Sequence, residues 1–354
     1  MVEGEILGKM EEKIYLDRNE NNYGPAPLCF EVLKKADYTK LSCYTKSFTS
    51  GIKSILSERI AREVNLPENR VLLGYGAEDL LKQAILCYLN KDEKLLIPAY
   101  SWWYYKKLAS EAGGQNVEYP LIEGEDSFYY DIDKIVDIYK KEKPKAVLIS
   151  SPNNPTGNSI SLDDLKILLK ELRDSVVIFD QAYAFEGFNN HLQEMLRNNP
   201  NLILVRTFSK YYALAGMRIG FALIGDNIQK LTQMTNRYLG FNRLSEEVAL
   251  AALDSPDYYK SIAEKMRQDK ELYYSELGKL KGFKVFKSDA NFILVKIPKE
   301  IYKSLKEFLD GRGLIIKFMN EELLNSHLRI TLGTQEQNLA VINSIKEFTE
   351  KQTG

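Results

Sequence analysis

The sequence predicts an α/β protein, with a large domain whose mostly parallel sheet is flanked by helices and a smaller α+β C-terminal domain. Short apolar runs alternate with helical patterns as far as residue 243, which is typical of strands buried on both faces. Beyond that point two long helical patterns precede further strand patterns, which indicates an α+β arrangement. We therefore predict an N-terminal arm with part of the small domain at 1–43, the large domain at 44–243 and the small domain at 244–354.

Six apolar runs are predicted to be the strands of the large sheet. Each is short, continuous and bounded by turn or charged residues, as expected of strands in the middle of such a sheet. The six runs are 71–73, 95–97, 146–149, 176–179, 202–205 and 221–224.

Helix signals separate several of these runs. Ser161 has the character of an N-cap, and Asp163 and Asp164 form an acidic first turn before the apolar positions of 165–172. A further helix is predicted at 79–89. In the C-terminal region, helices at 246–253 and 258–280 are followed by strand patterns at 283–286, 292–295, 314–316 and 328–331.

Composition excludes several classes of function. The 354 residues carry a formal net charge of −1 and no long basic run, which argues against a nucleic-acid partner. No apolar stretch approaches the roughly 18 residues that span a bilayer, so no membrane partner is expected. Three irregularly spaced cysteines favour a reducing cytoplasm over a disulfide framework, and with only two histidines no metal site is predicted.

The most informative residue is a lysine that follows a predicted buried strand. Lys210 ends the segment Thr207-Phe208-Ser209-Lys210, and Arg218 follows eight residues later. A desolvated amine loses its proton more easily, as a Schiff-base lysine requires. Thr207, Ser209 and Arg218 have the groups to bind a phosphate dianion beside that amine. The alternative is a solvated cation at a strand end.

A glycine-containing turn follows the first strand of the large domain. Gly74 and Gly76 precede Ala77 and Glu78, at the start of the predicted helix. Glycines at this position let backbone N–H groups and a helix N-terminus approach a phosphate. The dinucleotide fingerprint is incomplete because its third glycine is missing. A tight turn with no ligand is the alternative.

Two further strand ends carry groups suited to an aromatic ligand. Tyr100 follows the strand at 95–97 and is predicted to stack on a flat ring, whereas the aromatic residues at 102–105 are expected to lie in the core or in an interface. Asn154 lies in the segment 151–157, where two prolines and a glycine predict a rigid turn. Its amide is a directional donor for a ring hydroxyl or a carboxylate.

An acid stands at the end of another predicted strand. Asp180 follows the run at 176–179, and Tyr183 stands three residues later. A buried carboxylate is unfavourable unless a cation matches it, and a protonated pyridine nitrogen is one such cation. The alternatives for Asp180 are an N-cap and a partner in an ordinary salt bridge. With the lysine, the amide donors and the phosphate-binding groups, this acid completes the parts of a pyridoxal 5′-phosphate site.

The order of these motifs resembles the class I/II, fold-type I, aminotransferases over nearly the whole chain. The motifs that carry the resemblance are 151–157, 180–183 and Ser209-Lys210 with Arg218. The resemblance implies the aspartate aminotransferase-like fold of pyridoxal-phosphate-dependent transferases and a cytoplasmic homodimer. It also implies transfer of an amino group from a small amino donor to a 2-oxo acid, most simply 2-oxoglutarate.

The resemblance assigns roles to individual residues. Lys210 binds pyridoxal phosphate covalently and shuttles the substrate proton. Asp180 pairs with the ring nitrogen, and Asn154 and Tyr183 bind the ring oxygen. The remaining implied roles are phosphate binding by Ala77, Glu78, Thr207, Ser209 and Arg218, phosphate binding from the other subunit by Tyr44, and binding of the substrate's acidic group by Arg329.

Within this family the arm is similar to that of the histidinol-phosphate aminotransferases. The similarity lies in Asn-Glu-Asn-Asn-Tyr-Gly at 19–24, where Tyr23 matches a tyrosine that reaches the substrate phosphate across the dimer. Lys317 stands where that branch usually has an arginine facing the substrate phosphate, and it offers a point charge without the guanidinium fork. The alternatives are an aminotransferase for aromatic or other amino acids and an enzyme like threonine-phosphate decarboxylase.

Overall fold

The structure, a computed structural model, describes residues 13–45, 53–188, 190–235 and 239–353. Within this part of the chain the strands form three sheets. In chain order the strands are β1 Ile14–Leu16, β2 Val71–Gly74, β3 Lys94–Pro98, β4 Gln115–Tyr119, β5 Leu121–Glu123, β6 Phe128–Tyr130, β7 Ala146–Ser150, β8 Val176–Asp180, β9 Leu202–Thr207, β10 Gly220–Ile224, β11 Lys284–Phe286, β12 Phe292–Lys296, β13 Leu314–Phe318 and β14 His327–Thr331.

Several helices begin at a residue whose side chain caps the first turn. Ser161 caps the sixth helix as predicted, because its Oγ accepts a hydrogen bond from the backbone N–H of Asp164 at 3.0 Å. None of the helices in the described ranges is long and apolar enough to cross a bilayer. The α-helices are α1 Pro27–Lys34, α2 Ile55–Glu63, α3 Ala77–Tyr88, α4 Trp103–Glu111, α5 Ile132–Glu142, α6 Leu162–Glu171, α7 Asn190–Asn198, α8 Gln229–Thr235, α9 Arg243–Leu253, α10 Pro256–Leu277, α11 Tyr302–Gly311 and α12 Gln335–Thr353.

The large sheet has seven strands in the order β2-β10-β9-β8-β7-β3-β4. Its strands are parallel except β10, which runs antiparallel to both β2 and β9. The prediction of a mostly parallel sheet is therefore confirmed, and all six predicted strands are present. Ser150 lies opposite Asp180, and Asp180 lies opposite Val205, so β7, β8 and β9 end at the same edge. Parallel α/β sheets bind ligands at this edge.

The second sheet has five strands in the order β1-β13-β14-β12-β11. The N-terminal arm supplies β1, which pairs in parallel with β13, and the other pairs are antiparallel. The predicted C-terminal strands are all present. The third sheet is a hairpin of β5 and β6.

The hydrophobic cores explain how the layers are held together. On β7, Val147 and Ile149 belong to one core whereas Leu148 belongs to a second, so both faces of the large sheet are covered. A third core joins Leu16 of the arm to C-terminal residues such as Ile330. The boundaries placed after residues 43 and 243 stay a prediction.

Candidate active site

A cavity of about 810 Å³ lies at the carboxyl edge of the large sheet, facing the five-stranded sheet. From the large sheet it is lined by Asn154 after β7, Asp180 at the end of β8 and Lys210 after β9. From the five-stranded sheet it is lined by Lys317 of β13 and Arg329 of β14. The two sheets thus place residues that are far apart in the sequence around one space.

Lys210 presents a reactive amine to this cavity. Its Nζ donates hydrogen bonds to the backbone carbonyls of Arg18 at 3.0 Å and Asn19 at 2.8 Å. Burial lowers the pKa of the Lys210 amine to about 8, and the nearby guanidinium of Arg329 acts in the same direction. About a tenth of the amine is therefore uncharged at pH 7, far more than for an ordinary lysine, and the uncharged form is the one that attacks a carbonyl.

Asp180 is only 4% exposed. Its Oδ2 accepts a hydrogen bond from the hydroxyl of Tyr105 at 2.6 Å, and its Oδ1 accepts one from the backbone N–H of Ala182 at 2.9 Å. Burial raises the pKa of the Asp180 carboxyl, although both hydrogen bonds oppose the shift. No cationic side chain in the described ranges pairs with this carboxylate. The site therefore suits a ligand that brings its own positive charge.

Four polar side chains form a hydrogen-bonded row on the cavity wall. The hydroxyl oxygen of Tyr183 accepts hydrogen bonds from Nδ2 of Asn154 at 3.4 Å and from Nδ2 of Asn19 at 3.1 Å. The Oδ1 of Asn154 accepts one from Nη1 of Arg329 at 2.6 Å, and Nη2 of Arg329 donates to the backbone carbonyl of Asp17 at 2.5 Å. Each amide and hydroxyl is consequently held in one orientation.

The predicted phosphate-binding residues come together at one end of the cavity. Helix α3 begins at Ala77, so the free N–H groups of its first turn, at Ala77 and Glu78, lie at this end. The hydroxyls of Thr207 and Ser209 also line it and lie 2.9 Å apart. Arg218 completes the group, with its Nη2 3.6 Å from the Glu78 carboxylate.

Gly76, which has no side chain, leaves room beside these residues for the Arg218 guanidinium. Gly76 has φ of +85°, and a Cβ added there would lie 2.8 Å from Nη2 of Arg218. Any other residue at 76 would be strained and would displace the arginine. The helix N-terminus, two hydroxyls and a guanidinium are together a suitable donor set for a phosphate dianion, so the residues present fit pyridoxal phosphate.

The structure does not bring Tyr100 into the cavity. Its ring packs edge-on against Phe128, with the centroids 5.4 Å apart. Trp102 lines the cavity instead, and its indole lies edge-on at 5.6 Å to the ring of Tyr105. Sequence reasoning assigned residues 102–105 to the core or an interface. The signal it missed is the three-residue spacing of Trp102 and Tyr105, which puts both at the start of α4.

The two tyrosines predicted to act across a dimer lie outside this cavity. Tyr44 is 67% exposed, and its backbone carbonyl accepts a hydrogen bond from Arg243 at 3.2 Å. The hydroxyl of Tyr23 donates to Oδ2 of Asp269 at 2.6 Å. A role in a neighbouring subunit therefore stays a prediction for both residues.

The part of the cavity nearest the five-stranded sheet and the arm is more exposed and more highly charged. Lys317 and Arg329 are neighbours in the register of β13 and β14, and both line the cavity. Arg18, Glu20 and Glu321 line it with exposed side chains. This region suits the variable part of a substrate, because solvated side chains accommodate different charged groups at a small cost.

Comparison with known sequences identifies relatives along almost the whole chain. The family described as aminotransferase class I and II matches residues 11–345. A histidinol-phosphate aminotransferase of Ruminiclostridium cellulolyticum is 32% identical over 341 residues, which cover 94% of this chain and 92% of that protein.

Solved structures show the same fold. The histidinol-phosphate aminotransferase of Sinorhizobium meliloti, in complex with pyridoxal 5′-phosphate, superimposes with a TM-score of 0.84 at 21% identity, over 96% of this chain and 92% of that one. The L-threonine-O-3-phosphate decarboxylase of Porphyromonas gingivalis gives a TM-score of 0.79 at 20% identity, over 95% and 99% of the two chains. The predicted aspartate aminotransferase-like fold is confirmed.

Proposed function

The chain belongs to the class I and II aminotransferases, and from that premise we propose that it transfers the amino group of L-histidinol phosphate to 2-oxoglutarate, a step of histidine biosynthesis. The observation that carries the reaction type is the single cavity in which the Lys210 amine, the unpaired Asp180 carboxylate and the phosphate-binding group meet. The donor is inferred from the relatives at about 32% identity and from Lys317 and Arg329, the cations that line the cavity on the side of the five-stranded sheet.

The cofactor of this family is pyridoxal 5′-phosphate, and the residues of the cavity suit each of its parts. When bound, it supplies an aldehyde that condenses with amines and a ring that accepts electrons from the α-carbon. Thr207, Ser209, Arg218 and the start of α3 bind its phosphate. Trp102, which lines the cavity where Tyr100 does not, would pack against its ring.

Lys210 has two tasks in this proposal. Its amine would bind the aldehyde carbon, and its lowered pKa gives it a far larger uncharged fraction at neutral pH than an ordinary lysine has. Once an amino donor had displaced it, the same amine would be placed to carry the proton between the donor's α-carbon and the cofactor's C4′ carbon. A base whose pKa lies near the working pH is effective in both directions.

Asp180, Asn154 and Tyr183 would set the protonation of the bound cofactor's ring. The Asp180 carboxylate is held by Tyr105 and Ala182 and keeps a proton on the ring nitrogen through charge pairing. Asn154 and Tyr183 donate to the ring oxygen. Because these groups are already oriented before a ligand binds, they need little reorganisation during the reaction.

The substrate's acidic group is assigned to Arg329, supported by Lys317. Asn154 and the Asp17 carbonyl hold the Arg329 guanidinium in place, and it offers a planar fork to a phosphate or a carboxylate. Lys317 adds a point charge beside it. This arrangement accepts both the phosphate of the donor and the carboxylates of the 2-oxo acid, as an enzyme that alternates between two acidic substrates needs.

A homodimer is the second part of the proposal. Tyr38, Leu41 and Tyr44 are each more than 60% exposed, and Tyr75 and Leu239 about half exposed, which is unusual for such large side chains on a free surface. A second copy of the chain that covered these side chains would bring Tyr44 to the phosphate-binding residues of its partner. The cysteines of the described ranges, Cys29, Cys43 and Cys87, are unpaired, which supports a place in the cytoplasm.

A half-reaction screen tests the proposed donor. The yellow holoprotein is mixed separately with histidinol phosphate, phenylalanine, tyrosine, leucine and glutamate, and loss of the visible absorption is followed without any 2-oxo acid. We expect histidinol phosphate to bleach the chromophore fastest and 2-oxoglutarate to restore it. Fastest bleaching by an aromatic amino acid would move the assignment to that class, and release of carbon dioxide from phosphothreonine would indicate a decarboxylase.

A further inference from the structure

Asn19 occupies the point where the arm, the reactive lysine and the five-stranded sheet meet. It is completely buried. Its Nδ2 donates to the hydroxyl oxygen of Tyr183 at 3.1 Å, and its backbone carbonyl accepts from Nζ of Lys210 at 2.8 Å. On the other side, its backbone N–H donates to Oγ1 of Thr331 at 2.9 Å, and Nδ2 of Asn291 donates to its carbonyl at 3.0 Å.

The backbone at Asn19 explains why this residue type is suited to the position. Its φ is +55°, in the left-handed region that asparagine tolerates better than other residues with a side-chain donor. Glycine would fit the backbone but would lack the amide. Aspartate would fit both the backbone and the volume, but its ionised side chain only accepts hydrogen bonds.

The amide of Asn19 determines the direction in which the Tyr183 hydroxyl donates its proton. The Tyr183 oxygen accepts from Asn19 and also from Nδ2 of Asn154 at 3.4 Å. With two donors on its oxygen, the hydroxyl keeps its own proton for a third group, and the open side of Tyr183 faces the cavity. Burial raises the pKa of Tyr183, whereas Arg329 and the Asn19 amide lower it and strengthen the hydroxyl as a donor.

We propose that Asn19 is a positioning residue of the reaction: its amide aims the Tyr183 proton at the ring oxygen of bound pyridoxal phosphate. This inference rests on the proposed function. Hydrogen bonds with Thr331 and Asn291 hold Asn19 against the five-stranded sheet. The direction in which Tyr183 donates its proton therefore depends on the arm being packed on that sheet. The arm thus acts on the electronic state of the cofactor through one residue.

The test uses the holoprotein and the pH dependence of its visible absorption, which reports protonation of the lysine–cofactor linkage. Without the Asn19 amide, Tyr183 donates less strongly to the ring oxygen, the oxygen becomes more basic, and the linkage holds its proton to higher pH. For Asn19→Gly we expect the chromophore's pKa to rise by about one unit, the size of one weakened hydrogen bond. Asn22→Gly is the matched control, since Asn22 lies on the same arm and its Nδ2 donates to the Leu332 carbonyl at 3.4 Å rather than to Tyr183.

A double-mutant cycle separates positioning from a structural role. Tyr183→Phe alone should raise the chromophore's pKa, and adding Asn19→Gly should then change it by less than about 0.3 unit, because the residue through which Asn19 acts is gone. An undiminished shift in the Tyr183→Phe background would overturn the inference. If Asn19→Gly does not fold, the same cycle is run with Asn19→Asp, whose upward shift of the chromophore's pKa must become smaller in the Tyr183→Phe background, and an undiminished shift there would equally overturn the inference.

The outcomes for the inference and for the proposed function are distinct. A wild-type protein that takes up no pyridoxal phosphate, or whose chromophore no amino donor bleaches, contradicts the proposed function. A wild-type protein that does both, combined with an Asn19→Gly variant that titrates like the wild type, contradicts only the role of Asn19.

Discussion

The two walls of the cavity are built differently. On the large-sheet wall, Asp180 and Asn154 are buried and held by hydrogen bonds to neighbouring side chains or backbone. The wall formed by the arm and the five-stranded sheet also contains a buried residue, Asn19, but Arg18, Glu20 and Glu321 on it are exposed and charged. We infer that the buried groups fix the chemistry and that the exposed charges of this second wall select the substrate.

Physical chemistry accounts for this division. A buried group with few partners interacts strongly with a ligand, because the surrounding dielectric is low and water does not compete. An exposed charge is screened by water and salt, so its replacement changes binding by a small amount. Substitutions on the large-sheet wall should therefore have large effects on every substrate, and those on the opposite wall smaller and more selective effects.

The largest effect is expected for Asp180→Asn. An amide cannot neutralise the ring nitrogen, and loss of a buried charge partner costs about 3–5 kcal/mol, so kcat should fall by about 10² to 10⁴-fold for all donors. Stopped-flow measurement of donor half-reactions checks this, with covalent uptake of the cofactor as the control for folding. A kcat within threefold of the wild type would contradict the large effect expected for a buried group on the large-sheet wall.

A smaller effect is expected for Arg329→Lys, which keeps the charge but removes the planar fork. Loss of a charge-assisted hydrogen bond costs about 1.5–3 kcal/mol, so kcat/KM should fall by about 10 to 100-fold, mostly through KM. Steady-state kinetics with 2-oxoglutarate as the varied substrate is the measurement. An unchanged KM would remove Arg329 from the substrate site.

The lowered pKa of Lys210, about 8, predicts how the apoprotein takes up the cofactor. Only the uncharged amine attacks an aldehyde, so below pH 8 the rate of uptake should fall about tenfold per pH unit, and above pH 8 it should level off. Absorbance after mixing apoprotein with pyridoxal phosphate at different pH values gives the profile. A rate that keeps rising to pH 10 would indicate an ordinary solvated lysine.

The smallest effect is expected for Lys317→Ala. Lys317 is partly exposed, so loss of its charge should raise KM for histidinol phosphate only about three- to tenfold and leave unphosphorylated donors within about twofold. Lys317→Arg is the matched variant, which restores the fork geometry and should lower KM for the phosphorylated donor. Equal effects on phosphorylated and unphosphorylated donors would contradict a selective role.

Much of the large-sheet wall could be predicted from the sequence because local patterns encode it. The runs at 146–149, 176–179 and 202–205 are short and apolar, and each is followed by a polar group that the parallel arrangement brings to one edge. The reversal of β10 could not be predicted, since an apolar run carries no strand direction. Nor could β4, whose residues are mostly polar and partly exposed.

The residues that sequence reasoning missed are those that act over long separations. Tyr105 reaches Asp180 from 75 residues away, and Asn19 reaches Lys210 from 191 residues away. Neither contact leaves a local pattern, because each depends on how α4 and the arm pack on the sheet. The position of Tyr100 after a strand predicts that it stacks on the ligand, but in the structure Trp102 lines the cavity instead.

The central claim is that Lys210 is the residue that binds the cofactor, and reductive labelling tests it most directly. The holoprotein is treated with borohydride, which makes the lysine–cofactor link permanent, and is then digested and analysed by mass spectrometry. We predict one pyridoxyl group per chain, on the peptide that contains Lys210, and none when the cofactor is omitted. A label on any other lysine, or no stable label at all, would contradict the account.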